Sequence, residues 1–291
     1  MLSLPQSLAD PLQLADWLEL LALTSPDLNS SRGDLEGALR IASQSQLDDD
    51  EAIEGKVQEV FSELEQRQQS AGESYPFTVD FRGILQAKSG WDAFPAYAFC
   101  LLLSNCGSDD YIKTGKLFEQ LSCYAIDGYL QCDGNVVPFG SPRVSLGKPF
   151  HQAVEELCDL IGEGEGYSQK PALNSKDDRV DLVAWRSFAD KRSGKLLIFG
   201  QCASGRNWKE KLSELNPDAF CDLWMSCAPM SPKVKAFFVP YRIDHERWDY
   251  CVRYGGILFD RCRIAFWGQR DGLDYTPHIA WTTEAFAQAL V

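Results

Sequence analysis

The chain has 291 residues, 45% of them hydrophobic and 24% charged, with 42 Asp and Glu against 28 Lys and Arg for a net charge of −14. That length allows two domains of ordinary size, the composition excludes wholesale disorder, and no apolar run reaches the roughly 18 to 20 residues that cross a bilayer. The start, MLSLPQSLADPLQLADWLELL, has neither a basic leader nor a small-residue cleavage site, so the chain reads as soluble and cytoplasmic.

The first half reads as mainly helical. Residues 11–23 set Leu12, Leu14, Leu18, Leu20 and Leu21 around Asp16 and Glu19, with Pro11 at the first helical position after Asp10. Residues 32–43 and 51–69 follow, the latter with Ile53, Val57, Val60, Phe61 and Leu64 at helical spacing. The acidic connector SQSQLDDDE between them reads as a loop. TVDFRGILQ reads as a strand, 96–104 and 115–130 as buried helices, and the Pro- and Gly-rich VVPFGSPRVSLGKP as the end of this region. The expected domains are therefore 1–146, a helical recognition or partner-docking module, and 147–291.

The second half changes character. Residues 150–161 carry Phe150, Val154, Leu157, Leu160 and Ile161 on one face and end at Gly162, which predicts an amphipathic helix. A long polar segment follows, in which Asp177 and Asp178 read as a solvated turn. VDLVAW is a strand, DKRSGK a turn, and LLIFGQCA a continuous apolar strand of the kind covered on both faces. Gly205 and Asn207 introduce a helix through Leu215, and KAFFVPY and GILFDRCRIAFWG are two further strands. Helix, strand, strand, helix, strand, strand is an α/β layer architecture with a mixed sheet.

The ten cysteines are scattered in apolar contexts without a CxxC pair, and His151, His245 and His278 have no zinc-site spacing, so neither a disulfide scaffold nor a structural zinc is indicated. Cys202 lacks a recognisable histidine partner and reads as core packing. Charge is uneven: residues 1–148 hold 22 Asp and Glu against 10 Lys and Arg, whereas 191–270 hold 14 Lys and Arg against 8 Asp and Glu. Such a basic stretch is either a solvated face or a local attraction for nucleic acid in an otherwise acidic chain.

Chemistry concentrates at one polar residue. Gln201 interrupts the apolar strand, and a buried amide without partners costs on the order of 1 to 3 kcal/mol. The hairpin brings Asp181 to the neighbouring strand, and a carboxylate beside an amide oxygen supplies hard ligands of the type Mg²⁺ accepts.

The segment 150–212 resembles the PD-(D/E)XK, or restriction-endonuclease-like, nucleases, and within them the Mrr-like group that writes the second motif as Gln-x-Lys. Glu156 on the leading helix, Asp181 at a strand and Gln201 on the next match the family's positions. The resemblance implies a restriction-endonuclease-like core, Asp181 and Gln201 as ligands of Mg²⁺ or Mn²⁺, and Glu156 holding a water or a second ion. Where the family has lysine two residues after the amide, this chain has Ala203, and Lys209 or Lys211 from the next helix would replace it, Lys211 being preferred. Arg192, Lys195 and Arg206 are the expected contacts to a DNA backbone. The implied function is a metal-dependent DNA endonuclease, an effector of bacterial phage defence or restriction working with a partner ATPase or other defence subunit. The alternative is an inactive nuclease-like scaffold that binds nucleic acid or such a partner.

Overall fold

A computed structural model describes residues 9–42, 50–107, 110–131, 135–143, 145–147, 149–168 and 178–289; the connector at 43–49 and Asp177 lie outside them. The chain forms two compact units. The first comprises Met1–Gly107, Arg261–Gln269 and Asp274–Val291, and the second Ser108–Asp260 with Arg270–Leu273. Among the described residues no helix is long and apolar enough to cross a membrane.

In the first unit, α1 (Pro11–Thr24) starts as its sequence requires. Asp10 accepts from the Gln13 amide at 2.8 Å, and Gln13 returns the bond in a reciprocal cap. Helices α2 (Arg32–Ala42), α3 (Asp50–Ala71) and α4 (Pro95–Cys106) follow their apolar spacing. TVDFRGILQ is not one strand. Asp80 Oδ1 accepts the amides of Arg82 and Ile84 and turns the chain, so it forms β2 (Phe77–Val79) and β3 (Ile84–Ala87), which pair antiparallel, with β1 (Asn29–Ser31) on the other side of β3.

The second unit is an α/β layer around a mixed five-stranded sheet. It contains α5 (Tyr111–Leu130), β4 (Val136–Pro138), α6 (Phe150–Ile161), β5 (Leu182–Arg186), β6 (Leu196–Cys202), α7 (Pro217–Trp224), β7 (Lys233–Phe238), α8 (His245–Gly255) and β8 (Ile257–Phe259). The order is β4-β5-β6-β7-β8. The first three strands run antiparallel in succession, and β7 and β8 continue parallel to β6. One face of β5 and β6, through Val183, Trp185, Leu197 and Phe199, packs on Val154, Leu157 and Ile161 of α6 and on Phe220 and Trp224 of α7. Gly162, in the left-handed region at φ 67°, closes α6 as its sequence indicates.

Three expectations are corrected. The boundary at 146/147 falls inside the second unit, because β4 pairs with β5 and α5 packs on both, while the C-terminal segment belongs to the first unit through α9 (Arg261–Gly268) and α10 (Thr276–Ala289), which pack on α4. GILFDRCRIAFWG is a three-residue strand and then a helix, since pairing with β7 ends at Phe259 and the chain passes into the other unit at Arg261. The helix expected from Gly205 to Leu215 is only a 3₁₀ turn, Trp208–Lys211, with Trp208 and Leu212 buried against Phe237. No disulfide joins any of the nine described cysteines.

Candidate functional site

β6 is the central strand, and the ends of β6, β7 and β8 and the start of β5 lie at one edge of the sheet, where ligands of α/β proteins usually bind. Leu182 pairs with Gly200, so Asp181 and Gln201 stand at that edge on adjacent strands, as the hairpin predicted. Their side chains diverge. A Cβ on Gly200 would meet Leu182 and Phe238, so Gln201 takes the opposite face, that of Leu197 and Phe199. The Asp181 carboxylate instead turns across the strand end, where Oδ2 accepts the Cys202 amide at 2.7 Å.

Gln201 is 4% exposed. Its Nε2 donates to Glu214 Oε2 at 3.0 Å, and Glu214 also faces Arg179 Nε at 3.7 Å. Gln201 Oε1 is buried and has no hydrogen-bond partner among the described residues. A hard, desolvated oxygen with nothing to accept is the kind of group a cation or a ligand donor satisfies.

A second polar cluster lies on the α5 side. Lys116 Nζ donates to Glu119 Oε2 at 2.6 Å and to the Gly140 carbonyl at 2.7 Å. A Cβ on Gly140 would stand 2.8 Å from Glu119 Oε1 and 2.9 Å from Asp181 Oδ1, so the two carboxylates converge on a point that only glycine leaves open. Lys116, Glu119 and Gly140 also line a cavity of about 480 Å³. Burial, and after it the Asp181 carboxylate, pushes the Cys202 thiol well above its ordinary range, which disfavours the thiolate.

Other expected site residues are placed elsewhere. Glu156 lies on the exposed side of α6 and accepts the Gly147 amide at 2.8 Å, because the buried stripe of α6 is Ala153, Val154, Leu157, Cys158 and Ile161. Lys209 lies over the Trp208 ring at 5.6 Å, and neither it nor Lys211 hydrogen-bonds to Gln201 or Asp181, since the 3₁₀ turn is too short to carry a lysine back over the strand. Lys195 is corrected as a DNA contact: it is 3% exposed, donates to the Ile161 carbonyl at the end of α6 and faces Glu163 at 3.9 Å. Arg192 and Arg206 are exposed. Lys233 and Lys235 are tied to Asp218 and to the Leu212 carbonyl, so the basic stretch is in part internal.

Among the described residues no three or more His, Cys, Asp and Glu are grouped to hold a metal ion. At Gln201 the structure offers one buried amide oxygen, with the Asp181 carboxylate committed to the Cys202 amide. Sequence reasoning missed Glu119, Lys116 and Glu214. Glu119 was legible in principle, as a carboxylate within a stripe that also buries Leu117, Phe118, Leu121 and Ser122. Glu214 sits in a connection with no distinguishing signal. No protein-family model, curated protein or solved structure matches the chain.

Proposed function

We propose that the second unit is a restriction-endonuclease-like, metal-dependent DNA endonuclease with its site at the edge of β6. The observation that carries this reading is the buried Gln201 Oε1, without a hydrogen-bond partner among the described residues, at the end of the central strand and one strand from Asp181. The succession of a helix, a hairpin bearing an aspartate and an amide, a further helix and a parallel strand agrees with the resemblance. Mg²⁺ keeps several waters and is commonly held by one or two carboxylates together with substrate phosphates, so Asp181, on turning from the Cys202 amide, would be the charged ligand on this reading and Gln201 a neutral one. When bound, the ion would polarise a phosphate and lower the pKa of an attacking water. The chain's own residues would orient that water and hold the backbone: Gln201 and Asp181 at the sheet edge, with Arg206 and Arg192 as exposed cations for phosphates. The effector role in bacterial phage defence, with a partner ATPase or other subunit, rests on the resemblance alone.

A second reading has its own support. With Ala203 in place of the motif lysine, neither Lys209 nor Lys211 at Gln201, and Asp181 held by a backbone amide, the unit is a nuclease-like scaffold that binds nucleic acid or a protein partner without cleaving. Incubation of plasmid and single-stranded DNA with the full chain in Mg²⁺ or Mn²⁺ separates the two. The nuclease reading predicts cleavage that EDTA stops and Asp181→Ala abolishes; no metal-dependent cleavage in wild type, or cleavage indifferent to Asp181→Ala, leaves the scaffold.

A further inference from the structure

The cavity that Lys116, Glu119 and Gly140 line runs along one face of α5, where Lys116, Gln120, Tyr124 and Asp127 recur at helical spacing, and all the described residues that line it belong to the second unit. At about 480 Å³ it falls within the range of roughly 300–1,000 Å³ that small organic ligands occupy. Most of its wall is apolar: Leu117, Tyr124, Val136, Pro138, Pro142 and Leu273. The charged groups in the wall are matched inside the protein. Lys116 Nζ is held by Glu119 and the Gly140 carbonyl, and Asp127 Oδ2 accepts from Arg270 at 2.7 Å. Among the described residues the wall therefore offers a phosphate or carboxylate no unmatched cation, and it sets the acidic side chains of Glu119 and Asp127 against one. An occupant is uncharged where it meets this wall.

One polar group in the wall has capacity to spare. Gln120 Nε2 donates to the Tyr124 hydroxyl at 2.7 Å, and a primary amide carries a second N–H and an acceptor oxygen, neither of which has a partner among the described residues. A donor and an acceptor side by side on one amide are what a glutamine uses to read a nucleobase. Each common base is uncharged, carries a neighbouring donor and acceptor on its pairing edge, and has faces that pack on apolar and aromatic side chains. We propose that this cavity binds a nucleobase, brought by a free nucleoside or by an unstacked nucleotide of a single strand, with Gln120 bonding its polar edge and the apolar wall covering its faces. Sugar and phosphate stay outside. The cavity borders the β6 edge, because Gly140 lines it and lies beside Asp181 Oδ1. Base binding there requires neither a metal ion nor cleavage, so the proposal goes beyond the nuclease reading and does not rest on it.

The test uses the full chain in EDTA and reads binding of thymidine, deoxycytidine, deoxyadenosine and deoxyguanosine by titration calorimetry, with deoxyribose as the control. At least one nucleoside binds wild type, and the sugar alone does not. Val136→Trp, which fills the cavity from β4, abolishes that binding. Gln120→Leu weakens it about 5- to 150-fold, the worth of a two-point amide contact to a base. Gln120→Glu, of the same shape but without a proton to donate, weakens it over the same range and serves should the leucine variant not fold, which near-ultraviolet circular dichroism checks. A single-stranded oligonucleotide that displaces the bound nucleoside assigns the cavity to a base of a strand, and one that does not assigns it to a free nucleoside. No nucleoside binding in wild type, or binding unchanged in Val136→Trp or in both Gln120 variants, overturns the proposal. Either result leaves the nuclease reading to its own cleavage assay, because neither metal nor cleavage enters this measurement.

Discussion

Each unit buries a polar cluster, and the two differ in how completely they are satisfied. In the first unit Asp16 and Glu19 of α1 meet Arg67 of α3 and Arg261 of α9. Arg261 bonds both Asp16 oxygens at 2.6 and 2.8 Å, Arg67 bonds Asp16 at 2.6 Å and faces Glu19 at 3.0 Å, and the hydroxyls of Tyr75 and Tyr97 each donate to Glu19 at 2.8 Å. Glu63 and Asn105 complete the set. At the β6 edge of the second unit, Gln201 has a partner for its nitrogen and none among the described residues for its oxygen. A closed network specifies a fold by tying distant segments together, here residues 16, 67 and 261. An open one leaves a desolvated acceptor unpaired, which costs stability.

The largest effect should come from opening the closed cluster. Arg67→Met leaves Glu19, which is fully buried, without its nearest cation, and breaking a buried pair from one side costs about 3–5 kcal/mol. The denaturation midpoint of the full chain should fall accordingly, and a change under about 1 kcal/mol, the worth of an exposed pair, would show that the cluster does not carry the first unit.

A smaller effect concerns acid. Burial alone would raise the Asp16 carboxyl, but the guanidiniums of Arg261 and Arg67 outweigh it and hold the group well below the usual carboxylate range. A depressed folded-state pKa contributes stability that is present above the unfolded value and lost as pH falls toward the folded one. Wild type should therefore lose stability below about pH 4. Asp16→Asn, already weaker at neutral pH, should lose less over the same window. Urea midpoints at neutral pH and in acid for both proteins check this, and parallel curves would contradict it.

These contrasts also show what the sequence could say. Helices α1, α3 and α6 were legible because their apolar residues recur at helical spacing and their ends carry Pro11 and Gly162, and the antiparallel pairing of β5 and β6 followed from DKRSGK between two apolar runs. The division into units was not legible. Nothing local in RCRIAFWG indicates that Arg261 pairs with Asp16, and an apolar run of that length is helix or strand alike until its neighbours are known. At the site, Gln201 announced itself as a polar residue in an apolar strand. Its partner did not: Asp181 was the neighbour by register, but Glu214 is the neighbour by hydrogen bond, reached through a turn whose path the sequence leaves open.

The smallest energetic effect is the most telling, because it tests whether the open oxygen of Gln201 is kept for use. Gln201→Leu removes a buried group that is only half satisfied, so unfolding of the full chain should require about the same free energy as wild type or up to about 1 kcal/mol more, while Mg²⁺-dependent DNA cleavage is lost. Stability and cleavage moving apart in this one variant is the predicted result. A variant that is clearly destabilised yet cleaves as wild type does would contradict the account, since Gln201 would then be part of the core and not of a site.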